Sequence, residues 1–159
     1  MASHQFSANL QKPIDVLTEN ILGPATSALL GKHKYKFIIS NKTDAIMKRV
    51  QAHNDSDNWP FDSIEPQHTA VASLDVKSWS FGAMYELLDQ HKIILAGSSP
   101  LMGKDKIAIE ATAERSVKTV WDEMDDGNDK ATGGNKCRAY IKSIEGGQKV
   151  WIYEIFPWW

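Results

Sequence analysis

From Trp79 to Leu87 the chain alternates without interruption. Trp79, Phe81, Ala83, Tyr85 and Leu87 occupy one set of positions, and Ser80, Gly82, Met84 and Glu86 the other. In an extended strand successive side chains point to opposite faces, so all the large groups of this stretch share one side. A helix would scatter the same rings around its circumference. The pattern therefore demands a sheet with one face buried, and the rest of the chain supplies its partners. Period-two or β-branched runs recur at 34–40, 45–53, 69–76, 92–96, 106–112, 116–121, 137–144 and 149–156, separated by turn residues such as Gly146-Gly147. Short strands with no long helical segments between them exclude an alternating βαβ chain. The fold class expected is all-β, an antiparallel two-sheet β-sandwich with Trp79, Phe81, Tyr85 and Leu87 in its core. A length of 159 residues, 42% of them hydrophobic, suits one such core.

Ahead of the strands, Leu10, Ile14, Leu17 and Ile21 recur at helical spacing, with Pro13 suited to a first turn and Gly23-Pro24 to a stop. A second helical stretch spans 25–30 and ends at Gly31. The expected organisation is thus an N-terminal helical segment over 1–31 and a β-sandwich domain over 32–159. The apolar stripe of the first helix serves either of two purposes: packing on the sandwich, or lying in a membrane interface.

A formal charge of −2 removes the broad positive footprint of a nucleic-acid-binding protein. The charge is uneven, however. Up to His53 the chain carries Lys12, Lys32, Lys34, Lys36, Lys42, Lys48 and Arg49 against Asp15, Glu19 and Asp44, so an anionic surface is expected to meet this part first. The lone Cys137 has no internal disulfide partner. Neither a basic leader with an apolar run nor a stretch of about 18 apolar residues is present, so the expected product is soluble and made without a signal peptide, cytoplasmic or released by a non-classical route. Under that expectation Asn41-Lys42-Thr43 and Asn54-Asp55-Ser56 are turns and not glycan acceptors.

No enzyme is expected. The five histidines are dispersed, Ser98-Ser99 lacks a nucleophile-elbow frame, Cys137 lies on a strand, and Gly133-Gly134 does not join a strand to a helix. No cofactor is implied. Two acidic runs offer oxygen ligands for calcium if their loops meet, with Asp55 and Asp57 in one and Asp125, Asp126 and Asp129 in the other; the alternative is a pair of solvated loops. The most unusual composition is at the C-terminus, where Trp151, Tyr153 and Phe156 precede Pro157-Trp158-Trp159. Indole and phenol rings favour membrane interfaces and sugar faces, because each joins an apolar body to one polar group. They serve equally for core packing or a dimer contact.

The order of elements resembles the actinoporin-like cytolysins and, more loosely, the aegerolysins, over about half the chain. The elements are the amphipathic N-terminal segment, Lys32-His33-Lys34, the strand and turn from Phe37 to Thr43, Trp59-Pro60, Ile64-Glu65-Pro66, Ser80 to Leu87, and Ile93 to Pro100. The resemblance implies a membrane-active β-sandwich, with the N-terminal segment inserting and the sandwich recognising lipid. It also implies possible homo-oligomers at the membrane. In actinoporins the next loop is rich in Tyr and Trp that cradle phosphocholine; here it reads Leu101-Met102-Gly103-Lys104-Asp105-Lys106. The functional expectation is a membrane-lipid-binding, cytolysin-like protein, with pore formation as its furthest extension. Leu10, Ile14, Leu17, Ile21, Trp151, Tyr153, Phe156, Trp158 and Trp159 are its contact residues. A carbohydrate-binding lectin is the alternative, and an intracellular interaction module a third.

Overall fold

A computed structural model describes residues 6–14, 34–54, 61–88, 91–112, 114–124, 127–144 and 147–158. Two sheets face each other. The first, sheet A, has the order β1-β5-β2-β11-β10-β9, formed by β1 (Phe6–Pro13), β2 (Tyr35–Asn41), β5 (His68–Leu74), β9 (Lys130–Thr132), β10 (Cys137–Ile144) and β11 (Gln148–Ile155). The second, sheet B, has the order β4-β3-β6-β7-β8, formed by β3 (Met47–Asn54), β4 (Ser63–Ile64), β6 (Trp79–Leu87), β7 (His91–Ser99) and β8 (Lys106–Ala111). All pairings are antiparallel except β2 with β11, which run parallel at the centre of sheet A.

The alternation seen in the sequence decides which side chains meet. Trp79, Phe81, Ala83, Tyr85 and Leu87 of β6 are buried between the sheets, against Phe37 and Ile39 of β2, Ala70 and Ala72 of β5, and Trp151, Tyr153 and Ile155 of β11. Trp79 and Trp151 meet edge to face at 4.8 Å, and Phe37 meets Trp79 at the same distance. Room for these rings comes from a missing side chain. A Cβ on Gly97 would lie 2.8 Å from the Tyr153 hydroxyl and 3.0 Å from both Trp151 and Trp79. Three rigid aromatic groups cannot all give way, so Gly97→Ala is expected to cost about 1–3 kcal/mol, read as a lower urea midpoint with unchanged slope. A wild-type midpoint would mean that the cluster is looser than this packing.

The outer faces are also occupied. On sheet B a short helix, α1 (Val117–Asp122), lays Val117 and Val120 on Met84 and Ile94. On sheet A, Ile38, Val71, Val150 and Ile152 form a second buried apolar layer. The loop after β2 is set by Asn41, whose buried amide faces the carbonyls of Ala45, Ile64 and Glu65 at 2.8–3.2 Å, while its Oδ1 accepts from the backbone and hydroxyl of Thr43. The Asn-x-Thr triplet here is turn chemistry.

Several elements differ from the sequence expectation. Residues 6–13, where the amphipathic helix was expected to begin, form edge strand β1. Leu10 pairs with Val71, and Pro13, with no N–H to donate, closes the strand opposite His68. The open hydrogen-bonding edge of β5 outweighs the helical spacing. Residues 6–13 therefore belong to the sandwich and not to a detached segment. Leu17, Ile21 and the stretch 25–30 lie outside the described residues. Residues 116–121, expected as a strand, are helical, because the Ser116 hydroxyl caps the Thr119 N–H at 3.2 Å. Val117 and Val120 then face the sheet with helical spacing. Finally, β9 forms just after the acidic run that ends at Asp129, where no strand is expected, and β7 runs on through Ser99, beyond the strand expected over 92–96.

Candidate functional site

At one end of the sandwich β7 hands over to β8 through residues 100–105. Both roots of this loop are anchored. Ser99 Oγ donates to Asp105 Oδ1 at 2.7 Å and lies 3.0 Å from the Tyr35 hydroxyl, and Lys149 Nζ meets Asp105 Oδ2 at 2.5 Å. Trp151 donates its indole N–H to the carbonyl of Lys106 at 3.0 Å, tying the start of β8 to the core. Between these roots the chain can turn only because Gly103 adopts a φ of +105°. The apex carries Leu101 and Met102, 72% and 89% exposed, the two most exposed large hydrophobic residues among those described. Side chains of this kind normally lie inside. Here a rigid base presents them to solvent, next to Lys104.

Beside the loop a hollow of about 420 Å³ is lined by Lys104, Asp105, Gly127, Asp129, Ile141 and Lys149 among others. Lys104 lies flat across Gly127, where a Cβ would come within 2.8 Å of its chain. Asp129 and Ile141 also line a larger groove of about 630 Å³, with Lys130, Thr132, Arg138, Tyr140 and Lys142 on β9 and β10.

The opposite end holds part of the C-terminal aromatic cluster. Phe156 is half-buried beneath two cations, Lys42 Nζ at 5.1 Å and the Arg138 guanidinium at 5.5 Å from its ring centroid. Both cations are held by Glu154, whose buried carboxylate accepts from Lys42 at 2.8 Å and Arg138 at 2.7 Å. Trp158 packs on the margin of the core, edge-on to His91 at 5.3 Å and beneath Lys136 at 5.9 Å.

Burial alone would raise the Glu154 carboxyl, but hydrogen bonds from Arg138 and Lys42 outweigh it and hold the group below its ordinary value of 4.5. A folded-state value below the unfolded one contributes stability above about 4.5 that is lost as the pH falls through the lowered value. Glu154→Gln is therefore expected to be less stable at neutral pH and to lose less on acidification than the wild type. Urea unfolding of both proteins across the acid range checks this, and parallel pH profiles would contradict it.

Several sequence-expected contact residues lie elsewhere. Trp151 and Tyr153 are fully buried, with the Tyr153 hydroxyl donating to the Ala96 carbonyl at 2.9 Å. Period two sends them inward along β11, so they are core and not contact residues. Leu10 sits on β1 and Ile14 just beyond it; Leu17, Ile21 and Trp159 are outside the described residues. Of the calcium candidates, Asp129 is exposed, and Asp55, Asp57, Asp125 and Asp126 are outside the described residues. Among the described residues no group of three or more His, Cys, Asp or Glu is placed to hold a metal ion. The Cys137 thiol, pushed up to about 11 chiefly by burial, is not an activated thiolate. The N-terminal basic residues are partly consumed: Lys36 is buried against Gln148, Lys42 is paired with Glu154, and Arg49 with Asp62.

No family model and no curated protein matches the sequence. Among solved structures, the arrangement of strands has a counterpart. The fold resembles that of the lipid binding protein Nakanori. The match has a TM-score of 0.55 at 9% identity and covers 90% of this chain and 80% of that one. At such identity the likeness to Nakanori concerns the fold alone. The exposed Leu101-Met102 pair and the β9–β10 groove were not singled out in the sequence. The available signal was an apolar pair placed between Pro100 and Gly103 in an otherwise polar loop. Among the described residues no helix is long and apolar enough to cross a membrane.

Proposed function

We propose that this protein binds the lipid surface of a membrane peripherally, through the loop at residues 100–105. The observation that carries this reading is the exposed Leu101-Met102 apex on an anchored base, with Lys104 beside it. Apolar side chains at such an apex gain free energy by entering the acyl boundary, and adjacent lysines gain by remaining at the level of the head groups. The lipid-binding character of Nakanori, which shares this fold, supports the same reading. A cytolytic or pore-forming activity of the actinoporin type is a further step, in which the protein would oligomerise at the membrane, and catalysis has no part in it.

Co-sedimentation with phosphatidylcholine vesicles, neutral and mixed with anionic phosphatidylserine, tests the proposal. Binding to at least one composition is the expected result, and absence from every vesicle pellet would overturn it. Release of an entrapped dye on binding would extend the reading to pore formation, whereas binding without release would confine it to lipid recognition. The lectin alternative has less support, because Trp151 and Tyr153 are buried and so present no face to a sugar.

A further inference from the structure

We propose that the groove along β9 and β10 binds the phosphate of an anionic lipid head group, a site that rests on the membrane reading above and specifies its lipid class. In the β9–β10 register Lys130 stands directly opposite Tyr140, and Lys142 is the next residue of β10 on the same face. The two lysines thus flank one tyrosine. Cations this close on one sheet face repel each other, and an anion seated between them relieves that repulsion.

The charges of the surroundings favour the same occupant. Lys149, Lys42 and Arg138 have carboxylate partners, but Lys104, Lys130 and Lys142 have none among the described residues. Among the described residues, Asp129 opposes the two lysines, and Glu154, which also hydrogen-bonds Tyr140, answers the charge of Arg138, so the described lining is net positive. A zwitterionic choline head group would need an open aromatic face for its ammonium. Tyr140 does not offer one freely, because Lys142 Nζ already lies 5.8 Å from its ring centroid and the ring packs on the Ile38 and Ile152 layer. A membrane source is favoured over the solvent because Asp129 and Ile141 line both the groove and the hollow beside the Leu101-Met102 loop. A head group can sit in the groove while the apex is in the same bilayer.

Lys130 and Lys142 are exposed, so the double variant Lys130→Gln, Lys142→Gln tests the site without disturbing the core. Each lysine at an anionic surface is worth about fivefold in partitioning. Affinity for vesicles containing phosphatidylserine is expected to fall roughly tenfold to thirtyfold in the double variant, and the wild-type preference is expected to fade at high salt. Binding to pure phosphatidylcholine vesicles is expected to stay unchanged. Equal wild-type binding to both vesicle types, or an unchanged double variant, would overturn the groove while leaving the membrane reading intact. If the wild type binds neither vesicle, the membrane reading fails first. Titration with inorganic phosphate supplies the remaining arm: saturable binding, lost in the double variant and without any vesicle preference, would assign the groove to a soluble phosphate and overturn the lipid source.

Discussion

Trp151→Ala is expected to destabilise the protein by about 3–5 kcal/mol, the cost of removing a fully buried large aromatic. The indole is in edge or tilted contact with Trp79, Tyr35 and Phe37 at 4.8–6.3 Å, and its N–H is committed to the Lys106 carbonyl. Truncation removes these contacts together and leaves a hole bounded by rings too rigid to collapse into it. Set against a typical total of about 5–15 kcal/mol, the loss is large, and for a chain of this size it corresponds to a fall in Tm on the order of 10 °C. The same experiment decides between two roles. If Trp151 is a core residue, vesicle binding per folded molecule stays at the wild-type level. A stable variant that no longer binds vesicles would instead return Trp151 to the contact surface and contradict the packing described here.

The sequence and the structure agree best where one physical rule dominates. From Trp79 to Leu87, burial of one face leaves only one arrangement, and the side chains sit where period two sends them. The same rule, applied along β11, would have turned Trp151 and Tyr153 inward. The alternation is masked in the sequence because the other face of β11 is also apolar, with Val150 and Ile152 buried in the outer layer of sheet A. Leu10, Ile14, Leu17 and Ile21 satisfy a helical period, but the strand at 6–13 exists because β5 has an edge to be filled, and an edge belongs to the assembled sheet. At 116–121 the β-branched residues argue for a strand, and one hydroxyl at the right position decides for a helix.

The candidate site was harder to read for a related reason. The Leu101-Met102 loop matters through its anchorage, and Ser99, Tyr35, Asp105 and Lys149 come together only when β2, β7, β8 and β11 are in place. Likewise Lys130 and Lys142 are separated by a turn in the chain and become neighbours only through the β9–β10 register. Pairwise charge and exposure are properties of the fold, so composition showed only an acidic loop where the structure holds a cationic groove.

The anchored loop also makes the largest functional prediction. Leu101→Asp, Met102→Asp is expected to weaken vesicle binding by at least a hundredfold. Full burial of a Leu or Met side chain is worth about 1.5–3 kcal/mol, so entry of both into the acyl boundary contributes about 3 kcal/mol or more, and about 1.4 kcal/mol is one decade in affinity. Replacing them with carboxylates removes that gain and adds repulsion from an anionic leaflet. Stability is expected to remain within about 0.5 kcal/mol of wild type, because the two side chains are exposed and the hydrogen bonds at the loop's roots come from other residues. The conservative partner Leu101→Met, Met102→Leu keeps the apolar area and should bind as the wild type does. Together the pairs separate apolar insertion from loop shape. If the aspartate variant binds neutral vesicles as tightly as the wild type, the apex does not enter the bilayer, and the lipid-facing surface must be sought at the other end, around Phe156 and Trp158.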